Sequence, residues 1–172
     1  MISYHTKKED WFLICKDINC YGVGIIQVHP HDVSHFCLHS LFLIFHMQNP
    51  PNVAVIGGGS WATALVKILS EKLPMVNWWL RSAENIEYIL KYKHNPNYIS
   101  SIEFHTERLF LSTHFDQAVR DAGIVILAVP SAFLKDALTK VDPSVFSGKL
   151  IFSAIKGIVP QENMIVGEFI HT

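Results

Sequence analysis

The sequence predicts an α/β fold built on a doubly wound parallel sheet, on three observations. Apolar runs recur at residues 53–56, 76–80, 124–129 and 150–155, interrupted only by Asn77 and Ser153. Helix-like stretches lie between them, and a glycine cluster, Gly57-Gly58-Gly59, joins the first run to the first such stretch. Runs that are apolar on both faces fit buried parallel strands. With helices as right-handed crossovers, few other topologies are left.

In chain order, the strand at 53–56, an amphipathic helix over 61–71 and the strand at 76–80 form a strand–helix–strand unit. A polar helix is expected over 83–92, then a proline-containing stretch at 94–101, a short apolar run at 109–112 and a helix over 115–122. The strand at 124–129 leads to a helix over 132–139, a turn at Asp142-Pro143 and the strand at 150–155. A last helix is expected to start near Gln161. No internal repeat, low-complexity tract or long linker interrupts this order.

The 172 residues, 49% hydrophobic and 17% charged, suffice for one ordinary domain with an appendage and not for two full domains. A net charge of -1 supplies no global positive field, so nucleic acid is not an expected partner. The longest apolar run near the start, residues 41–45, falls far short of the roughly 20 residues that cross a bilayer. Three cysteines without paired spacing argue against a disulfide-stapled secreted scaffold and favour a reducing compartment, the cytoplasm.

The chain changes character near residue 50, which divides it into an extension, 1–49, and a domain, 50–172. All three cysteines (Cys15, Cys20, Cys37) and six histidines (His5, His29, His31, His35, His39, His46) precede Met47. Cys15-x4-Cys20 and His29-x-His31 offer ligand types that zinc accepts, but no finger-like spacing is present, so no metal site is expected. The segment reads as an aromatic, His-rich extension without a core of its own, and it lacks a signal-peptide pattern. Met47, six residues before the first strand, is a candidate natural start; N-terminal mass spectrometry of the native protein tests this.

Gly57, Gly59 and Ala62 form G-x-G-x-x-A directly after a strand and at the opening of a helix, the context in which this pattern holds a pyrophosphate. Gly57 permits the tight turn, Gly59 lets the backbone approach a phosphate, and the helix N-terminus presents free N–H groups. A plain glycine turn is the alternative. Arg81 stands 24 residues beyond Gly57, where an acidic residue normally bonds the ribose hydroxyls of NAD. Its planar fork suits a 2′-phosphate, which permits NADP; an ordinary solvated charge is the other reading. Lys156 follows the strand at 150–155, at a carboxyl end where open α/β sheets place ligands, and its ammonium suits an anionic substrate. A surface strand cap is its bland alternative, as a simple strand stop is for Pro130.

VAVIGGGSWATAL, WWLR, HNPNYI, VILAVPSAFL and SAIKGI, in this order and spacing, resemble the N-terminal half of bacterial NAD(P)-dependent glycerol-3-phosphate dehydrogenase. The likeness covers residues 50–172 and is much more specific than the glycine turn alone. It implies a Rossmann-type NAD(P)-binding domain with NADP or NAD as cofactor. By the same resemblance Ser60, Trp61 and Arg81 contact the cofactor, and Pro130, Ser131 and Phe133 line its nicotinamide side. Lys156 then touches both cofactor and substrate and is the one catalytic and substrate-binding residue of this stretch. Asn95-Pro96 and Tyr98 match a family turn that is read as supporting the fold rather than performing chemistry.

Two departures from the pattern matter. Ala62 replaces the commoner third glycine, which the motif tolerates. The chain also ends at Thr172, before the C-terminal helical domain that carries the family's second lysine and the groups that seat the glycerol phosphate. The expectation is therefore a truncated dehydrogenase: the cofactor-binding part of an enzyme that interconverts dihydroxyacetone phosphate and sn-glycerol 3-phosphate for phospholipid synthesis, inactive by itself. Apolar surface left bare would favour self-association, including a homo-oligomer. A non-catalytic NAD(P)-binding module and the first half of another Rossmann dehydrogenase are the rival readings.

Overall fold

The structure, a computed structural model, describes residues 11–15, 24–28, 51–155 and 157–171. Five strands, β3 (Val53–Ile56), β4 (Val76–Trp79), β5 (Leu109–Ser112), β6 (Ile124–Leu127) and β7 (Leu150–Ser153), form a parallel sheet in the order β7-β6-β3-β4-β5. Two strands from the first segment, β1 (Trp11–Cys15) and β2 (Gly24–Val28), extend it antiparallel beyond β7, with Leu13 opposite Phe152. No strand was expected before residue 53; the remaining readings of that segment, including Cys20, His29 and His31, lie outside the described residues.

Alternate residues of each central strand enter opposite cores. Val53, Val55, Ile124 and Ile126 pack on one side with Ala62, Leu65, Val66 and Leu69 of helix α1 (Ser60–Lys72), and with Ile89 of α2 (Ala83–Tyr92). Ala54, Ile56, Val125 and Leu127 pack on the other with Phe115, Ala118 and Val119 of α3 (Phe115–Val119), and with Leu134 of α4 (Ser131–Leu138). Both faces are covered, which is why these strands read as continuous apolar runs. Adjacent tryptophans divide between the layers: Trp78 meets Phe104 at 5.2 Å between ring centroids, and Trp79 meets Phe115 at 5.8 Å. Asn77, between Val76 and Trp78 on β4, is buried because its Nδ2 donates to the Ala118 carbonyl at 2.8 Å, satisfying an acceptor at the end of α3.

Local chemistry sets the helix ends. The Ser82 hydroxyl accepts from Asn85 N at 3.2 Å and starts α2, and Lys93, at φ 61°, closes it in the left-handed region. The strands at 53–56 and 109–112 and the helix over 83–92 have the bounds the sequence suggests, whereas β4, β6 and β7 end one or two residues early, α1 is a residue longer at each end, α3 ends at Val119 rather than 122, and α4 starts at Ser131. One expectation is corrected. No helix starts near Gln161: a two-stranded hairpin, β8 (Ile158–Val159) and β9 (Met164–Ile165), intervenes, and the last helix, α5, is Val166–His171. Asn163 at φ 50° and Glu162 N donating to Val159 O at 3.2 Å make the turn that prevents an earlier helix. Among the described residues no helix is long and apolar enough to cross a membrane.

Candidate functional site

The chain runs from β3 outward to β4 and β5, then returns to place β6 on the other side of β3. The carboxyl ends of β3 and β6 therefore flank the point where strand order reverses, the place where open α/β sheets bind ligands. Gly57, Gly59, Ser60 and Trp61 follow β3; Arg81 follows β4; Pro130, Ser131 and Phe133 follow β6. All eight stand at one rim because the strands that carry them are parallel. Lys156 lies outside the described residues. Its neighbour Gly157 approaches this group: a Cβ there would lie 3.9 Å from Ser131 Oγ.

The glycines have separate reasons. Gly57 sits at φ 133°, and a Cβ there would meet the Ala128 carbonyl oxygen at 2.5 Å, so the turn is pressed against the end of β6. At Gly59 the conformation is ordinary, φ -77°, and an added Cβ would find no atom of the described residues within 4 Å. Gly59 thus borders open space, as a backbone bared toward a ligand should.

Every carbonyl of the glycine cluster is taken. Trp78 Nε1 donates to Gly57 O at 2.6 Å, Asn95 Nδ2 donates to Gly58 O at 3.3 Å, and Gly59 O accepts from Thr63 N at 2.9 Å and Thr63 Oγ1 at 2.8 Å. Among the described residues, none accepts from the amides of Gly58, Gly59, Ser60 or Trp61. No side chain caps α1, and its first turn carries no acidic residue. The result is a group of donors with the positive end of a helix behind them and no protein anion in competition, an arrangement that holds a phosphate.

Around this group the side chains are open. Trp61 and Phe133 are exposed, and the guanidinium carbon of Arg81 lies 5.6 Å from the centre of the Phe133 ring. Pro130 precedes the first residue of α4, and its carbonyl accepts from Phe133 N at 2.9 Å, which fixes the entry to that helix. No group of three or more His, Cys, Asp or Glu side chains suited to a metal occurs among the described residues. The sequence reading missed Trp78 and Asn95 as parts of this site. A Trp-Trp pair and an Asn-Pro dipeptide signal a buried strand and a turn, and neither shows which carbonyl its polar atom will reach.

Residues 52–172 match the family described as the NAD-dependent glycerol-3-phosphate dehydrogenase N-terminus. The chain belongs to this family. A relative from Nitratidesulfovibrio vulgaris (strain DP4), named glycerol-3-phosphate dehydrogenase, NAD(P)+, is 33% identical over 118 residues, covering 69% of this chain and 36% of its own length. One of the same name from Streptomyces coelicolor is 33% identical over 124 residues, covering 72% and 37%. The chain therefore spans little more than a third of the length of the curated relatives it matches. Among solved structures, the glycerol-3-phosphate dehydrogenase of Coxiella burnetii superimposes with a TM-score of 0.62 at 22% identity, over 70% of this chain and 36% of that one. The yeast (Saccharomyces cerevisiae) enzyme gives 0.53 at 24% identity, over 63% and 34%. At these identities the superpositions speak for the fold, a Rossmann-like N-terminal domain.

Proposed function

We propose that residues 50–172 are the dinucleotide-binding domain of a glycerol-3-phosphate dehydrogenase that interconverts dihydroxyacetone phosphate and sn-glycerol 3-phosphate, with NADP(H) or NAD(H) as redox partner. The observation that carries this reading is the row of amides from Gly58 to Trp61, without an acceptor among the described residues, at the carboxyl end of β3. They would hold the pyrophosphate, with Gly57 and Gly59 shaping the turn and Ser60 and Trp61 at its helix entrance. Arg81 is placed to meet the adenosine end, and its fork suits a 2′-phosphate. Pro130, Ser131 and Phe133 would flank the nicotinamide, whose bound ring supplies or accepts hydride. Lys156 is assigned by family likeness to stabilise charge on the reacting substrate oxygen.

Residues 1–49 are an extension without a core of its own in this reading, the working compartment is the cytoplasm, and self-association of the domain is part of it. Titration of the purified chain with NADPH and with NADH, followed by nicotinamide fluorescence, tests the assignment. Saturable binding of either is the expected result, and binding of neither overturns it. A coupled assay with dihydroxyacetone phosphate on the full-length protein then separates a dehydrogenase from a domain that only binds the dinucleotide.

A further inference from the structure

We infer that Asn95 is a positioning residue for the dinucleotide, acting through the peptide planes of the glycine turn rather than by touching the ligand; this rests on the reading proposed above. In a trans peptide the carbonyl of one residue and the N–H of the next point in opposite directions within one rigid plane. Whatever grips a carbonyl on the protein side therefore aims the following amide away from the protein. Trp78 grips Gly57 O and so orients Gly58 N; Asn95 grips Gly58 O and orients Gly59 N; Thr63 grips Gly59 O and orients Ser60 N. Three successive donors face outward because three carbonyls are held inward.

Of the three grips, that of Asn95 is the least explained by the fold alone. Thr63 N makes an ordinary helical bond, and the Trp78 ring belongs to the core. Asn95 is 1% exposed, comes from a loop 37 residues away, and uses its amide in full. Its Nδ2 donates both to Gly58 O and, at 2.8 Å, to Thr63 Oγ1, and its Oδ1 accepts from Asn97 N at 3.0 Å. One side chain thus ties the grips on Gly58 and Gly59 together. Gly58 and Gly59 have no side chains to restrain them, so without the Asn95 donor the peptide between them can turn over and offer a carbonyl to the ligand.

The test compares NADPH, which carries the pyrophosphate, with adenosine 2′-monophosphate, which does not, binding to the full chain and to its Asn95→Ala variant. NADPH affinity should fall about tenfold, the scale of one misdirected charge-assisted hydrogen bond, while adenosine 2′-monophosphate should change less than about twofold. Equal loss for both ligands, or loss for neither, overturns the inference. Thr63→Val keeps the helix and the side-chain shape but removes the hydroxyl that anchors Asn95; it should shift the two affinities in the same unequal way, which keeps the test decisive where Asn95→Ala does not fold. Failure of the wild-type chain to bind either NADPH or NADH would instead overturn the proposed function beneath it; a chain that binds NADH alone takes the same test with NADH against adenosine.

Discussion

The guanidinium carbon of Arg81 stands 5.6 Å from the centre of the Phe133 ring, so a side chain two residues beyond β4 meets one in the first turn of α4. In the sheet order β6-β3-β4, this contact bridges across the end of β3, where the glycine turn lies. A cation over an aromatic face at an exposed site contributes about 0.5–1 kcal/mol, too little to fix either side chain against a charged ligand. Arg81 is thus held near the site and remains free to exchange Phe133 for phosphate. Arg81→Ala is expected to weaken NADPH binding about tenfold and NADH binding less than about twofold, by fluorescence titration. Equal effects on the two would show that the residue does not read the 2′-phosphate.

Gly57 and Gly59 should separate stability from binding. Gly57→Ala forces a Cβ to within 2.5 Å of a backbone oxygen at a φ of 133°, and should destabilise the chain by about 3 kcal/mol or more in urea unfolding. Gly59→Ala meets no atom of the described residues within 4 Å and should cost under about 1 kcal/mol, yet abolish measurable NADPH binding by covering the bared backbone. A Gly59→Ala variant that binds normally would place the pyrophosphate elsewhere.

Trp78→Phe removes the donor to Gly57 O and leaves a gap beside Phe104. The combined loss should be roughly 2–4 kcal/mol by chemical denaturation followed by circular dichroism. A cost well below this range would mean that Gly57 O finds another donor.

Stability should fall in acid, through three exposed carboxylates. The Lys67 side chain bonded to Glu71, the backbone amide bonded to Glu107 and the Ser144 amide bonded to Asp142 hold these groups below the ordinary carboxylate range. A depressed folded-state value stabilises the fold above the unfolded value and ceases to do so as protons bind. Unfolding midpoints should therefore be level above about pH 5 and decline from about pH 4 downward. Added salt should shrink the Glu71 share, which includes attraction to Lys67, more than the Asp142 share, which is a backbone hydrogen bond. A decline that begins near pH 6 would point to histidines instead.

The parallel sheet was legible because its strands are buried on both faces and leave no polar alternation, as at Val53 to Ile56. The glycine turn was legible because Gly57 needs a backbone that side chains disfavour. What escaped the sequence is what depends on long-range contact. The bond from Asn95 to Gly58 O joins residues 37 apart, and no local pattern encodes it. The hairpin of β8 and β9 escaped because strands of two residues carry too few side chains to show a period, and its turn relies on Asn163 adopting a positive φ. β1 pairs with the edge of β7, and β2 with β1, an opportunity set by the rest of the fold and not by their own composition.

The close seating of Gly57 on Ala128 has a mechanical consequence. Backbone meets backbone there with no side chain to yield, so the loop after β3 and the loop after β6 form a single stiff sill. Displacing one by even a fraction of an ångström pushes the other, and a molecule long enough to rest on both would feel its two ends linked through the protein floor beneath it.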